Sequence, residues 1–128
     1  MDNEELDNIG RKIVHSPLVI HRELGPGLLE SVYEVSFACM MEHAGHHVVR
    51  QKPISFSYRG ILFENAFIPD LIIDNAVVVE IKAREKQLRV FSRQVNTYLK
   101  ILDYKLGYVI NFGLPLMKDG VERIVNNF

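Results

Sequence analysis

Tryptophan is absent from this chain, and Cys39 is the only cysteine. A single cysteine excludes an internal disulfide and fits a reducing compartment. Cys39 falls in an apolar helical run, so it is read as a small core residue. The five histidines, His15, His21, His43, His46 and His47, fall in no zinc-ligand spacing, and one cysteine cannot complete such a set. No apolar run is long enough to span a membrane. The stretch Met1-Asp2-Asn3-Glu4-Glu5 lacks the basic and apolar regions of a signal peptide, so a cytoplasmic protein with no membrane partner is expected. There is no repeat, low-complexity tract or linker. The 128 residues are expected to form one domain, residues 1–128, large enough for a real core.

Excess charge of either sign is also missing. A net charge of −1 gives no global case for binding nucleic acid. The distribution is less even. Residues 1–34 carry seven acids against three bases, and residues 82–105 carry seven bases against two acids. Arg84, Lys86, Arg89 and Arg93 lie in the basic stretch. They are the expected contacts to a polyanion, against the simpler reading of a solvated helix face.

Residues 4–24 read as a helix that kinks or restarts at Ser16-Pro17, since serine caps a helix and proline suits its first turn. Gly25-Pro26-Gly27 stops it. A second helix is predicted over residues 28–44, ended by Gly45. The period then changes to two. His47 to Tyr58 is a predicted strand with Pro53 marking an edge or bulge. Leu62 to Ile73 is a second and Val77 to Lys82 a third, whose Val77-Val78-Val79 run implies burial on both faces. Lys86 to Leu102 reads as an amphipathic helix with Phe91, Val95, Tyr98, Leu99 and Leu102 on one side. Leu106 to Phe112 is a fourth strand, expected to lie parallel to the third. Val121 to Val125 is a last short one.

Asp70 sits in the second strand, and Glu80 and Lys82 share one face of the third. Asp70 and Glu80 oppose each other only if paired residue numbers sum to 150. That register needs an odd loop, for example Asp74-Asn75-Ala76, in which asparagine tolerates a left-handed backbone; a two-residue Asp74-Asn75 turn would put the acids on opposite faces, and the odd loop is expected. Two carboxylates and an ammonium on one face of an apolar hairpin are a poor choice for folding alone. A salt bridge between Glu80 and Lys82 is the plain alternative, yet in an internal strand it loses desolvation energy that apolar residues would not. The same groups suit a divalent cation beside an activated water. Asp70 and Glu80 are the expected metal ligands, with the backbone carbonyl of Ile81 as a third. Lys82 would orient or deprotonate the water, or stabilise a phosphate. Gln94, four residues before Tyr98 on the flank of the apolar stripe, would orient the lysine, a water or a phosphate. Glu30, in the first turn of its helix, has a sufficient structural reason in the helix dipole and a functional one as a carboxylate reaching the metal directly or through water. Tyr33 is read as packing.

Together these residues resemble a known family. Gly27-x-x-Glu30-x-x-Tyr33 is similar to the signature of the GxxExxY proteins, a small bacterial and archaeal family within the PD-(D/E)XK nuclease superfamily. The resemblance extends through residues 21–27, Gln51-Lys52-Pro53-Ile54, Asp70-Leu71-Ile72-Ile73, Val79-Glu80-Ile81-Lys82, Gln94 to Leu99 and Ile110-Asn111-Phe112-Gly113. It implies a restriction-endonuclease-like α/β fold with an αβββαβ core, a mixed four-stranded sheet flanked by helices. It also implies Mg2+- or Mn2+-dependent cleavage of phosphodiesters, with Asp70, Glu80 and Lys82 central, Glu30 and Gln94 beside them, and DNA as the expected partner; RNA stays open. The alternative is a non-catalytic nucleic-acid-binding or protein-interaction module on the same fold. Small size makes a homodimer the expectation.

Overall fold

The computed structural model describes residues 1–128. Helix α1 runs from Asn3 to Leu24, with the Asp2 carboxylate accepting from the backbone N–H of Glu5 as its cap. It does not break at Ser16-Pro17, as the sequence had led us to expect. Pro17 is buried inside one continuous helix, and the Ser16 hydroxyl donates to the carbonyl of Lys12. Packing of Ile13 and Ile20 on either side holds the helix through the proline. Helix α2 covers Glu30–His43.

Strands β1 (Val48–Arg50) and β2 (Ile54–Tyr58) replace the single strand expected over 47–58. Strands β3 (Ile61–Phe67) and β4 (Leu71–Ile73) likewise replace the one expected over 62–73. The breaks have local causes. Gln51 adopts a left-handed backbone (φ 54°) just before Pro53, and Pro69 has no N–H to give a ladder. Strand β5 is Val77–Lys82, helix α3 is Arg89–Leu102, starting three residues later than expected, β6 is Leu106–Asn111 and β7 is Val121–Val125.

The main sheet therefore has five strands rather than four, in the order β1-β4-β5-β6-β7. Strands β5 and β6 run parallel, and every other neighbouring pair is antiparallel. Strands β2 and β3 form a separate hairpin. Alternation along β5 sorts its side chains. Val77, Val79 and Ile81 join Ile13, Phe37 and Met41 beneath α1 and α2, while Val78 packs with Phe91, Val95 and Leu99 of α3. All three valines are fully buried, as their unbroken run implied. Glu80 and Lys82 thus lie on the α3 face. Cys39 corrects the sequence reading: it is exposed on α2, opposite the buried stripe of Tyr33, Phe37, Ala38 and Met41. No helix is long and apolar enough to cross a membrane.

Candidate active site

The register of β4 against β5 decides the site. Leu71 pairs with Val79, Ile72 with Val78 and Ile73 with Val77, the sum of 150 required by the sequence argument. The connecting residues are Asp74, Asn75 and Ala76, and Asp74 and Asn75 both take left-handed backbones (φ 52° and 53°). The paired histidines explain how Asp74 is held there. Its carboxylate accepts from the His47 backbone N–H at 2.8 Å and lies 2.7 Å from His46 Nδ1.

One step beyond the ladder, Asp70 and Glu80 meet. The Asp70 N–H donates to Glu80 Oε1 and the Ile81 N–H donates to Asp70 Oδ2, both at 2.8 Å. Each carboxylate thus replaces a ladder carbonyl. A strand residue points its N–H and C=O to the same side. The Ile81 carbonyl therefore points to the β4 side of β5, whereas Lys82 turns its carbonyl to β6 and accepts from Phe112 N–H at 2.8 Å. Lys82 Nζ lies 3.9 Å from Glu80 Oε2, 3.4 Å from Gln94 Oε1 and 5.2 Å from the centroid of the Phe91 ring. Gln94 precedes Tyr98 by one helical turn on α3.

Glu80 is buried, and this raises its pKa to about 8; the adjacent Asp70 carboxyl pushes in the same direction, while the Asp70 N–H and Lys82 work against it. The sign has a consequence for the metal-free protein. Between the ordinary carboxylate pKa and about 8 the folded state holds a proton that the unfolded state has released. Stability should fall as pH rises through that window, with a limiting slope of about 1.4 kcal/mol per pH unit. Urea midpoints in EDTA from acid to pH above 8 test this, and Glu80→Gln should flatten the slope. An identical slope in the variant would refute it.

Glu30 stands at the N-terminus of α2 and is exposed. Partial burial of its carboxyl raises its pKa, against the pull of Lys82. Tyr33, fully buried, explains how the preceding loop delivers Glu30. Its hydroxyl donates to the Gly25 carbonyl at 2.5 Å and accepts from Leu28 N–H at 3.1 Å, while its ring stacks on Phe112 at 4.4 Å. Arg84, Lys86, Arg89 and Arg93 are all exposed beyond the end of β5.

The structure adds residues that sequence reasoning passed over. Glu34 is buried and accepts from Arg50 at 2.7 and 3.0 Å and from Gln51 Nε2 at 2.9 Å. The same Gln51 amide donates to Asp70 Oδ1 at 3.2 Å, and its backbone N–H to the Asp70 carbonyl at 3.0 Å. Gln51 is thus the strut that fixes Asp70 from the β1 side. Asn111, a polar residue in an apolar strand, was the one legible signal of a second support. It is fully buried and hydrogen-bonds the backbone of Arg84, Lys86 and Gly113.

A family model described as the PD-(D/E)XK nuclease superfamily matches residues 7–124. The chain belongs to this superfamily. The PD-(D/E)XK assignment agrees with the architecture, a mixed sheet flanked by helices in the restriction-endonuclease-like manner. It identifies the class of chemistry as that of a nuclease, a class that typically uses divalent metals. Neither the curated proteins nor the solved structures gave a match. No three side chains among histidine, cysteine, aspartate and glutamate converge as a metal cluster.

Proposed function

We propose that this PD-(D/E)XK protein, of the GxxExxY branch, is a metal-dependent nuclease that hydrolyses phosphodiester bonds of DNA. The observation that carries the reading is the hydrogen-bonded crossing of Asp70 and Glu80, with Lys82 3.9 Å from Glu80. Two carboxylates and the Ile81 carbonyl form an all-oxygen donor set, which suits Mg2+ or Mn2+ and not zinc. Magnesium retains several waters, so a partial protein set is sufficient. Asp70, Glu80 and the Ile81 carbonyl would hold the cation, with Glu30 reaching it through water. Such a cation supplies charge neutralisation at the phosphate and a more acidic water.

The chain's own residues do the rest. Lys82, which lies 3.4 Å from Gln94 Oε1, would donate to a phosphate oxygen or orient the attacking water. Water adds at phosphorus and gives up a proton to solvent, one P–O ester bond breaks, and the departing oxygen takes a proton from solvent. Arg84, Lys86, Arg89 and Arg93 would grip neighbouring phosphates.

The test is cleavage of single-stranded, duplex and branched DNA with Mg2+ and Mn2+, abolished by EDTA and by Asp70→Ala. Failure on every DNA form with either metal would sink the reading. Salt-sensitive DNA binding that survives Glu80→Gln, without turnover, would replace it with the non-catalytic module.

A further inference from the structure

We infer that the cleft between the β2–β3 hairpin and α3 is a stacking slot for an unpaired base, so that single-stranded DNA is the form this site engages. The inference rests on the nuclease reading and narrows its substrate. The cleft has a volume of about 490 Å3 and is walled by Phe56, Phe63, Phe67 and Tyr98, with Gln94 and Thr97 at its edge. Phe67 stacks on Tyr98 at 4.3 Å and Phe56 on Phe63 at 5.6 Å. The hairpin pairs with no strand of the main sheet, and Phe63 remains 42% exposed, so its ring is not consumed in closing the core.

Two observations choose the occupant. Gln94 joins the cleft to the candidate site: it lines the cleft, and its Oε1 lies 3.4 Å from Lys82 Nζ. A chain whose phosphate reached Lys82 would bring an adjoining base to these rings. The cleft also runs beside positive charge. At ~100° per residue, Gln94, Thr97, Tyr98 and Ile101 form one stripe of α3, and the exposed Arg89, Arg93 and Lys100 form the next one toward solvent. Aromatic walls beside a cationic stripe are the combination that grips single strands, with bases stacked and the backbone neutralised. In a duplex the base faces are already stacked inside the helix and unavailable to protein rings. A purely apolar peptide would leave the basic stripe unused.

The experiment uses the full chain in EDTA, so that binding is read apart from cleavage. A fluorescent single-stranded oligonucleotide and its duplex are titrated against wild type, Phe63→Ala, Phe63→Leu and Phe63→Tyr. Loss of one stacking ring should weaken single-strand binding roughly ten- to hundredfold in the alanine and leucine variants, with duplex binding unchanged and the tyrosine variant close to wild type. A 2-aminopurine base in the strand should be quenched by wild type and not by Phe63→Leu. The leucine variant keeps the apolar volume, so it reports stacking even where Phe63→Ala unfolds. Single-strand affinity of Phe63→Leu equal to wild type overturns the slot. So does a Phe63-dependent dimer by light scattering with Phe63-independent DNA binding, which would make the cleft a contact between copies. Phe63-dependent binding without cleavage in Mg2+ supports the slot and fails the nuclease reading; cleavage with Phe63-independent binding does the reverse.

Discussion

Lys82→Ala is expected to lower DNA cleavage by roughly 10²–10³-fold, the usual effect of removing one preorganised donor to developing transition-state charge. The protein should stay folded. The neighbours of the Lys82 side chain are Gln94 at 3.4 Å, Glu80 at 3.9 Å and the Phe91 ring at 5.2 Å, and none of these contacts closes a backbone group. Removing a positive charge from beside Glu80 leaves a carboxyl that the Asp70 N–H still bonds. Cation binding should therefore persist, measured by calorimetry with Mn2+, while single-turnover cleavage collapses. Lys82→Arg should not restore the rate, because a planar fork does not place its donors where an ammonium held by Gln94 does. Wild-type cleavage by Lys82→Ala would remove the lysine from the chemistry. Gln94→Ala should cost less, since on the proposed reading Gln94 would reach the phosphate only through Lys82.

The register that makes this site was legible because it follows from parity. An odd loop with asparagine at its centre allows one face-to-face arrangement of Asp70 and Glu80, and the left-handed Asp74 and Asn75 supply it. The parallel pairing of β5 with β6 was legible for a similar reason, since a helix of this length between two buried strands leaves little else to form. Cys39 was misread because α2 is apolar nearly all round. Leu29, Val32 and Val35 are exposed on it, so hydrophobicity alone did not mark the buried face. The division of the long predicted strands failed differently. Periodicity of two continues across Gln51-Lys52-Pro53 and Ile68-Pro69, and only the tertiary destination of each half separates main sheet from hairpin. The Gln51 strut was out of reach for the same reason. Its two carboxylate partners lie 17 and 19 residues away on other elements, a distance at which spacing says nothing.

Gly113→Ala is expected to lower stability from outside the carboxylate site. A methyl group on Gly113 would overlap the backbone N, C and O atoms of Arg84. Backbone cannot rotate aside as a side chain can, so the loop after β5 and the end of β6 must separate. Asn111 joins these two segments. Its Oδ1 accepts from Arg84 N–H at 2.9 Å and Gly113 N–H at 3.1 Å, and its Nδ2 donates to the Lys86 carbonyl at 3.2 Å and Gln87 Oε1 at 2.9 Å. Overpacking alone costs about 1–3 kcal/mol, and each buried group left unpaired adds about 1–3. A loss of at least about 2 kcal/mol in urea unfolding is expected. Wild-type stability in the variant would show that the contact yields without cost. Where Gly113→Ala still folds, Arg84 and Lys86 are displaced while Asp70 and Glu80 keep their hydrogen bonds. DNA affinity should then fall and its salt dependence flatten, with Mn2+ binding retained. That separation, grip lost and cation kept, would place the basic loop and the carboxylate pair in different roles, because the first depends on Gly113 and Asn111 and the second on Gln51 and Glu34.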